Sequence, residues 1–580
     1  MIPSFLQLKK NSKKDKSGLP GYRMVLVGDC ATQHIAQAVS GYAYEEGIGL
    51  ELLDTDYDQI FAQVMDPDSE LYQYQADAIL IVMCTEKLYE AYCGAPVGDR
   101  DRFAAEKYEE ICRIWKRLQE YSHPETGRKM KILQFNFAEA DDRCFGNYAN
   151  RVESSFLWQL RKLNTLLMQG AQSEEIYLVD ISYVQNLLGR KQFHDEKLYY
   201  LAKMPFSTEA LPAVAREVIG IVKAVMARIK KCVILDLDQT LWGGVIGDDG
   251  LEGIQIGELG IGHAFQEFQL WLKELTKRGI ILAVCSKNDE EKAKEPFLKH
   301  PEMVLRLEDI AVFIANWEDK AGNIRKIIET LNLGIDSFVF LDDNPFERNL
   351  VRSMLPEITV PELPEDPALY LSYLKELNLF ETISYSEADQ DRTRQYREEA
   401  GRTSLKQQFA TYTEYLEHLG MVAEAKPFDA FHIPRIAQLS QRSNQFNLRT
   451  VRYTEEEAAR LAEDDRYITL YFTLRDKFGD HGLISIVVMK KEEDTLFIEN
   501  WLMSCRVLKR TMEAFVVNIM LEEAKKADAV RVVGEYIKTP KNAMVEHLYE
   551  EMGFQPLGEG KYEIMTAAYQ KHETWIERGE

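Results

Sequence analysis

Among eight cysteines (30, 84, 93, 112, 144, 232, 285 and 505) there is no CxxC pair. That scatter argues against a disulfide framework and against a zinc site read from spacing; reduced, mostly buried thiols in a cytoplasmic protein are expected. Long hydrophobic runs are missing too. No stretch approaches the roughly 18 apolar residues of a membrane-spanning helix, and the start, MIPSFLQLKKNSKKDKSGLPG, lacks the apolar h-region of a signal peptide. Positive charge is scarce: 70 Lys and Arg face 94 Asp and Glu, a net charge of −24. Such a chain repels phosphate backbones and anionic lipid heads, so neither nucleic acid nor a membrane surface is expected as a partner. An anionic small substrate stays possible, because a metal or a lysine can reverse the field inside a cleft. No internal repeat or low-complexity tract stands out.

What is present, over 580 residues, is too much for one core. Residues 1–20 read as a disordered basic tail. A first α/β segment, 21–210, carries buried-strand signals at YRMVLVGDC, DAILIVMC, KMKILQFNF and IYLVDI. Apolar runs without alternation, separated by helices, predict a parallel sheet covered on both faces. A linking helix, 211–231, leads to a second α/β segment, 232–362, with strands at CVILDLD, GIILAVCS, AVFIA and SFVFLDD. A charged helical connector, 363–420, reads as a solvated helix pair. The last segment, 421–580, mixes strands and helices as an α+β domain.

The second segment carries a catalytic pattern. Asp236 and Asp238 follow an apolar strand in CVILDLDQTLWGG. Alternate strand residues share a face, so both carboxylates can converge at the carboxyl end, where open parallel sheets bind ligands. One can attack phosphorus while the other protonates the leaving oxygen and later activates water. Thr240 adds a hydroxyl near the same turn. Ser286 closes the strand IILAVCS and can bond a phosphoryl oxygen. Lys320, at a helix start in NWEDKAGNI, can neutralise nucleophile and phosphate. Asp342 and Asp343 end the strand FVFLDDNP and, with Asp236 and Asp238, make a candidate Mg²⁺ site of few carboxylates plus substrate phosphate. Only 47 residues separate Asp238 from Ser286; that leaves no room for a large lid and suits a bulky partner.

This ordered set resembles the haloacid dehalogenase superfamily, which implies a Rossmann-like sheet and an aspartyl-phosphate intermediate. LDLDQTLWGGVIGDDG, CSKND, NWEDKAGNI and LDDNPFER are more specific, and from about residue 20 onward the chain resembles FkbH-like proteins. Gln239 stands where that family usually has Asn. The resemblance implies a three-domain α/β chain: an SGNH-hydrolase-like doubly wound domain, a haloacid dehalogenase domain with minimal cap, and a GNAT-like domain. It further implies transfer of a glyceryl unit from 1,3-bisphosphoglycerate to an acyl carrier protein, with Cys505 carrying it as a thioester and His481 as base or orienting group. In acetyltransferases the turn equivalent to WLMSCRVLKRTMEAF cradles the coenzyme A pyrophosphate with glycines. Lys509 and Thr511 occupy those positions here, which argues against coenzyme A as a cofactor. In the first segment the turn VGDCATQ places Cys30 where SGNH enzymes have serine, and no D-x-x-H follows. His194 is the nearest candidate base, and docking or scaffolding is the expected role of this domain. The alternative function is a stand-alone phosphatase in surface-polysaccharide synthesis.

Overall fold

In the computed structural model, residues 3–123, 129–174, 176–385, 392–398, 409, 411–504 and 507–579 are described. The chain forms two compact units, Met1–Lys223 and Ala224–Glu580.

The first unit is built on five parallel strands, β1 (Gly21–Gly28), β2 (Gly49–Asp54), β3 (Ala78–Val82), β4 (Lys131–Phe135) and β5 (Tyr177–Val179), in the order β2-β1-β3-β4-β5. Met24–Val27 and Ala78–Val82 are wholly buried, as both-face coverage demands. β2 is absent from the sequence reading because GLELLD sets Glu51 between its leucines and ends on Asp54, and of this edge strand only Gly49 and Leu50 are fully buried. The tail expected to be disordered contains helix α1 (Phe5–Asn11). It is held by tertiary burial: Phe5 and Leu8 are buried, and Asn11 donates to Glu45 at the end of helix α2 (Gln33–Glu45). Gly41 of α2 faces the α1 backbone so closely that a Cβ there would meet the Leu8 carbonyl.

The second unit holds two sheets. Strands β6 (Cys232–Leu235), β7 (Ile281–Ser286), β8 (Ile310–Ala315) and β9 (Phe338–Leu341) lie parallel in the order β8-β7-β6-β9. The chain therefore moves outward from β6 to β7 and β8, then returns to the other side of β6 for β9. Ligands bind open α/β sheets at such a reversal, here between the ends of β6 and β9. One face packs on helix α3 (Ile261–Lys277) through Phe265, Phe268 and Leu272, the other on helix α4 (Lys320–Leu331) through Ile324, Ile327 and Leu331. Between Asp238 and Ser286 the chain makes a loop closed by a Gly243–Gln255 bridge, a short helix (Ile246–Gly253) and α3. The start of the connector is not solvated: Leu363, Tyr370, Leu374 and Phe380 are buried in the same core as β6 and α3.

The other sheet has eight strands: β10 (Met421–Lys426), β11 (Tyr467–Asp476), β12 (Gly479–Glu492), β13 (Thr495–Met503), β14 (Arg531–Glu535), β15 (Gln555–Gly558), β16 (Lys561–Met565) and β17 (Ile576–Arg578). Their order is β15-β16-β14-β13-β12-β11-β10-β17. It is antiparallel except for β13 with β14 and β10 with β17. The β13–β14 pair needs a crossover, supplied by helix α5 (Met512–Lys526), whose Phe515, Val516, Ile519 and Met520 are buried. The three-sheet α/β class expected from the sequence is thus present. Among the described residues no helix is long and apolar enough to cross a membrane.

Candidate active site

Asp236 directly follows β6, and its backbone N–H donates to the Leu341 carbonyl at the end of β9 over 3.0 Å. This bond fixes the nucleophile candidate beside the Asp342–Asp343 pair. Lys320, at the first turn of α4, reaches between them: Nζ lies 3.0 Å from Asp236 Oδ1 and 2.5 Å from Asp342 Oδ2. Asp319 caps that helix through the Gly322 N–H, which sets the lysine's direction. Asp236, Asp342 and Lys320 are each at least nine-tenths buried.

Carboxylate oxygens of Asp236, Asp342 and Asp343 lie within 4.8 Å of one another. Burial and then the Asp236 charge push Asp342 above the ordinary carboxylate range, and Asp343 is raised by the same two causes. Burial alone would lower the Lys320 ammonium, but Asp236 and Asp342 reverse that and hold it above the usual lysine value. One cation facing three crowded carboxylates leaves an excess of negative charge. The donor set is all hard oxygen. Both observations fit Mg²⁺, held by Asp236, Asp342 and Asp343.

Asp238, expected among the metal ligands, has its carboxylate outside the group formed by Asp236, Asp342 and Asp343. Its Oδ1 accepts from Trp242 Nε1 (2.9 Å) and the Ile246 N–H (3.0 Å), and its Oδ2 from Asn288 Nδ2 (2.8 Å). Three donors on a half-buried carboxylate suit a proton-transfer group held in one direction. Thr240 is fully buried, and its hydroxyl accepts from the Asp343 N–H at 3.2 Å, tying the two loops together. Ser286 is buried at the end of β7, where its Oγ accepts from Asn288 Nδ2 at 3.3 Å.

Sequence reading missed three supporting residues. Asn288, two places after Ser286, serves both Ser286 and Asp238. Arg348 donates to the carbonyls of Asp342 (2.9 Å) and Asp343 (2.6 Å) and to Glu362. Tyr370 Oη donates to the Gln239 carbonyl at 3.2 Å, and Gln239 holds a left-handed backbone with φ of 56°. Asn288 and Arg348 lie inside the stretches CSKND and LDDNPFER without having been singled out there, and Tyr370 lies outside every such stretch.

The remaining candidates divide. His481 is buried, with Nε2 3.1 Å from Asp476 Oδ2 and 3.3 Å from Arg510 Nη1. Neighbouring Asp480 instead accepts from the Gly482 N–H. Cys505 lies outside the described residues. Lys509 and Thr511 both have positive φ, 63° and 62°, so this turn keeps a backbone form that glycine adopts most easily. In the first unit Cys30 and His194 are not paired with each other: Cys30 lies against Cys84, and His194 Nδ1 faces the Pro205 carbonyl (2.9 Å) and Glu86 (3.4 Å).

Residues 23–223 match the family described as FkbH, N-terminal domain. The N-terminal part of the protein BF1531 from Bacteroides fragilis, solved with its phosphatase domain complexed with Mg, is 45% identical. The match covers 66% of this chain and 100% of that one, with a TM-score of 0.63. Two acetyltransferase structures also match. One is the ribosomal-protein-S18-alanine N-acetyltransferase of Escherichia coli (14% identity, 26% of this chain, 99% of that chain, TM-score 0.20). The other is the spermidine N-acetyltransferase of Vibrio cholerae (15%, 25%, 96%, 0.20); likeness at this level bears no weight. No curated protein sequence matches significantly. Identity of 45% over the whole length of the Bacteroides protein fragment, together with the N-terminal match, places this chain in the FkbH family.

Proposed function

We propose that the β6–β9 site is a Mg²⁺-dependent phosphatase that works through an aspartyl-phosphate on Asp236, and that it serves glyceryl transfer to an acyl carrier protein. The observation that carries the first part is the convergence of Asp236, Asp342, Asp343 and Lys320 at the sheet's reversal point. When bound, Mg²⁺ supplies positive charge against these carboxylates and an incoming phosphoryl group. Asp236 Oδ attacks phosphorus, and the P–O bond to the substrate breaks. Asp238, held by Trp242, Ile246 and Asn288, gives its proton to the departing oxygen. It then takes a proton from the water that hydrolyses the aspartyl-phosphate, which restores Asp236 and releases inorganic phosphate. Lys320 balances the charge of Asp236 throughout, and Ser286 offers a hydroxyl to a phosphoryl oxygen.

The glyceryl step rests on the family resemblance. The Cys505 thiolate attacks the acyl carbon of 1,3-bisphosphoglycerate and expels phosphate from that carbon. The remaining 3-phosphate is then the substrate of Asp236, and the glyceryl thioester passes to the carrier thiol. The buried His481–Asp476–Arg510 group supports a polar site in this sheet. A stand-alone phosphatase is favoured instead by Lys509 and Thr511, whose side chains stand where acetyltransferases admit coenzyme A closely.

Phosphate release from small phosphate esters should require Mg²⁺, disappear with chelator and be abolished in Asp236→Asn. Full release in that variant would end the phosphatase reading. Intact-protein mass spectrometry with Mg²⁺ and 1,3-bisphosphoglycerate separates the two versions. A glyceryl adduct lost in Cys505→Ala supports acyl transfer, and its phosphorylated form should accumulate in Asp236→Asn. Phosphate release without any adduct supports the stand-alone phosphatase.

A further inference from the structure

The first unit has its own reversal point, between β1 and β3, and the residues leaving those two strands form a group unrelated to phosphate chemistry. Asp29 and Cys30 follow β1. Cys84 follows β3 and caps helix Thr85–Gly94, its Sγ accepting from the Lys87 N–H at 3.4 Å. The Cys84 N–H donates in turn to Asp29 Oδ1 at 2.9 Å. Both thiols are at least nine-tenths buried, and the two sulfurs and an Asp29 oxygen lie within 4.8 Å of one another.

Spacing could not show this, because 53 residues separate the cysteines; the parallel pairing of Gly28 with Val82 brings them together. A second feature adjoins the group. A cavity of about 360 Å³ is lined by Asp29 itself, by Met83 and Lys87 on either side of Cys84, and by Ile111 and Phe137. An Asp58–Lys87 ion pair (3.1 Å) stands at its edge.

We infer that Asp29, Cys30 and Cys84 form a three-ligand site for a thiophilic divalent cation, zinc by preference, whose fourth position borders this cavity. Two thiolates and one carboxylate match zinc's ligand preference, and three protein ligands with one open position is the arrangement of reactive zinc sites, not of closed structural ones. Ligand atoms on a tetrahedral zinc sit roughly 3.5–4 Å apart, given Zn–S of about 2.3 Å and Zn–O of about 2 Å. The present group, within 4.8 Å, lies at most about 1 Å outside that spacing.

Electrostatics agree. The thiol of Cys30 is held above its ordinary value by its hydrogen bond to Cys84 and by burial, and burial raises Asp29 to about 7. Asp58 and Glu86 add negative charge at these groups, and Lys87 opposes it. On binding, the two thiols, and Asp29 where protonated, release their protons to solvent, and Zn²⁺ with two thiolates and one carboxylate leaves a single negative charge. The open position would take water or one oxygen of a small carboxylate or carbonyl compound of a size that the cavity admits.

This inference is independent of the phosphatase reading, and its test is spectroscopic. Full-length protein, reduced, stripped with chelator and kept in excess Mg²⁺, is titrated with Co²⁺ as a coloured substitute for Zn²⁺. A thiolate-to-cobalt charge-transfer band should saturate at one equivalent and be bleached by Zn²⁺. It should vanish in Cys30→Ser and in Cys84→Ser, weaken in Asp29→Asn, and remain in Asp236→Asn. Circular dichroism checks that the variants fold. If they do not, alkylation of the metal-loaded wild type after mild unfolding decides: Cys30 and Cys84 should be protected while exposed Cys93 reacts. No thiolate band in wild type, a band surviving both cysteine variants, or loss of two hydrogens to a Cys30–Cys84 disulfide in place of metal uptake overturns it.

Discussion

Asn288 Nδ2 stands 2.8 Å from Asp238 Oδ2 and 3.3 Å from Ser286 Oγ, joining the proton-transfer candidate to the end of β7. The amide cannot take part in bond making, but it fixes which oxygen of Asp238 is left to face a leaving group. Asn288→Ala should slow turnover roughly tenfold, a fraction of the ~10²–10⁴-fold that general acid catalysis supplies. The loss should be large for an alkyl phosphate, whose alkoxide needs a proton, and small for an aryl phosphate that leaves unaided. Equal losses on both substrates would show that Asn288 only supports the fold.

Lys320 is buried between two carboxylates, so its removal strands charge. Lys320→Met should abolish phosphate release and, in chelator, destabilise the phosphatase unit by about 3–5 kcal/mol. Adding Asp342→Asn to that variant should restore part of the stability without restoring activity. Denaturant unfolding of the two single variants and the double variant gives the coupling directly.

Helix α1 is tied to the first unit by close backbone approach at Gly41, where a Cβ would collide with the Leu8 carbonyl oxygen. Gly41→Ala should cost about 1–3 kcal/mol, the range for an overpacked contact. It should also expose Lys9 and Lys10 to trypsin earlier than in wild type. A variant that keeps both its melting temperature and its protease resistance would mean that α1 shifts freely.

Lys541 reaches Asp336, just before β9, at 2.5 Å. Burial works against the Asp336 carboxylate, but Lys541, then Lys230 and Lys231, hold it below the ordinary value. A depressed carboxylate stabilises the folded state above its unfolded pKa of about 3.9, and that contribution fades as pH falls through the lower folded value. Wild type and Lys541→Met should therefore differ at neutral pH by only about 0.5 kcal/mol, since both partners are partly exposed. The difference should close below about pH 4. Unfolding free energies measured across pH 3 to 7 check this; a gap that persists at pH 3 would assign the effect to packing.

The phosphatase constellation was legible because its parts end strands that are plain apolar runs: CVILDLD, IILAVCS and FVFLDD each announce both a buried strand and the polar residue closing it. The ordering of β6, β7, β8 and β9 then forces Asp236 and Asp342 together. Where the Asp238 carboxylate points was not legible: alternation along an extended strand places it on the Asp236 face, whereas the strand ends at Leu235 and the carboxylate turns to Trp242, Ile246 and Asn288. Helix α1 escaped notice because a seven-residue basic segment has no stability without the groove it fills, and that groove is made by residues 30 or more positions away. The Cys30–Cys84 approach was likewise invisible, since no local pattern encodes which two of five strands become neighbours.

The tie from Tyr370 to the Gln239 carbonyl bears on where this chain can be cut. A left-handed backbone costs a residue such as glutamine about 1 kcal/mol, and the tyrosine is part of what keeps that loop in place beside the nucleophile. A fragment ending near residue 362, the boundary expected from the sequence, would strip Tyr370, Leu374 and Phe380 from the core around β6. It would present fresh apolar surface next to Asp236 and loosen the loop that aims it. Expression of the phosphatase portion by itself therefore has to extend past Phe380, 32 residues beyond Arg348 at the end of its last recognisable motif, if the isolated piece is to stay soluble and keep its catalytic loop.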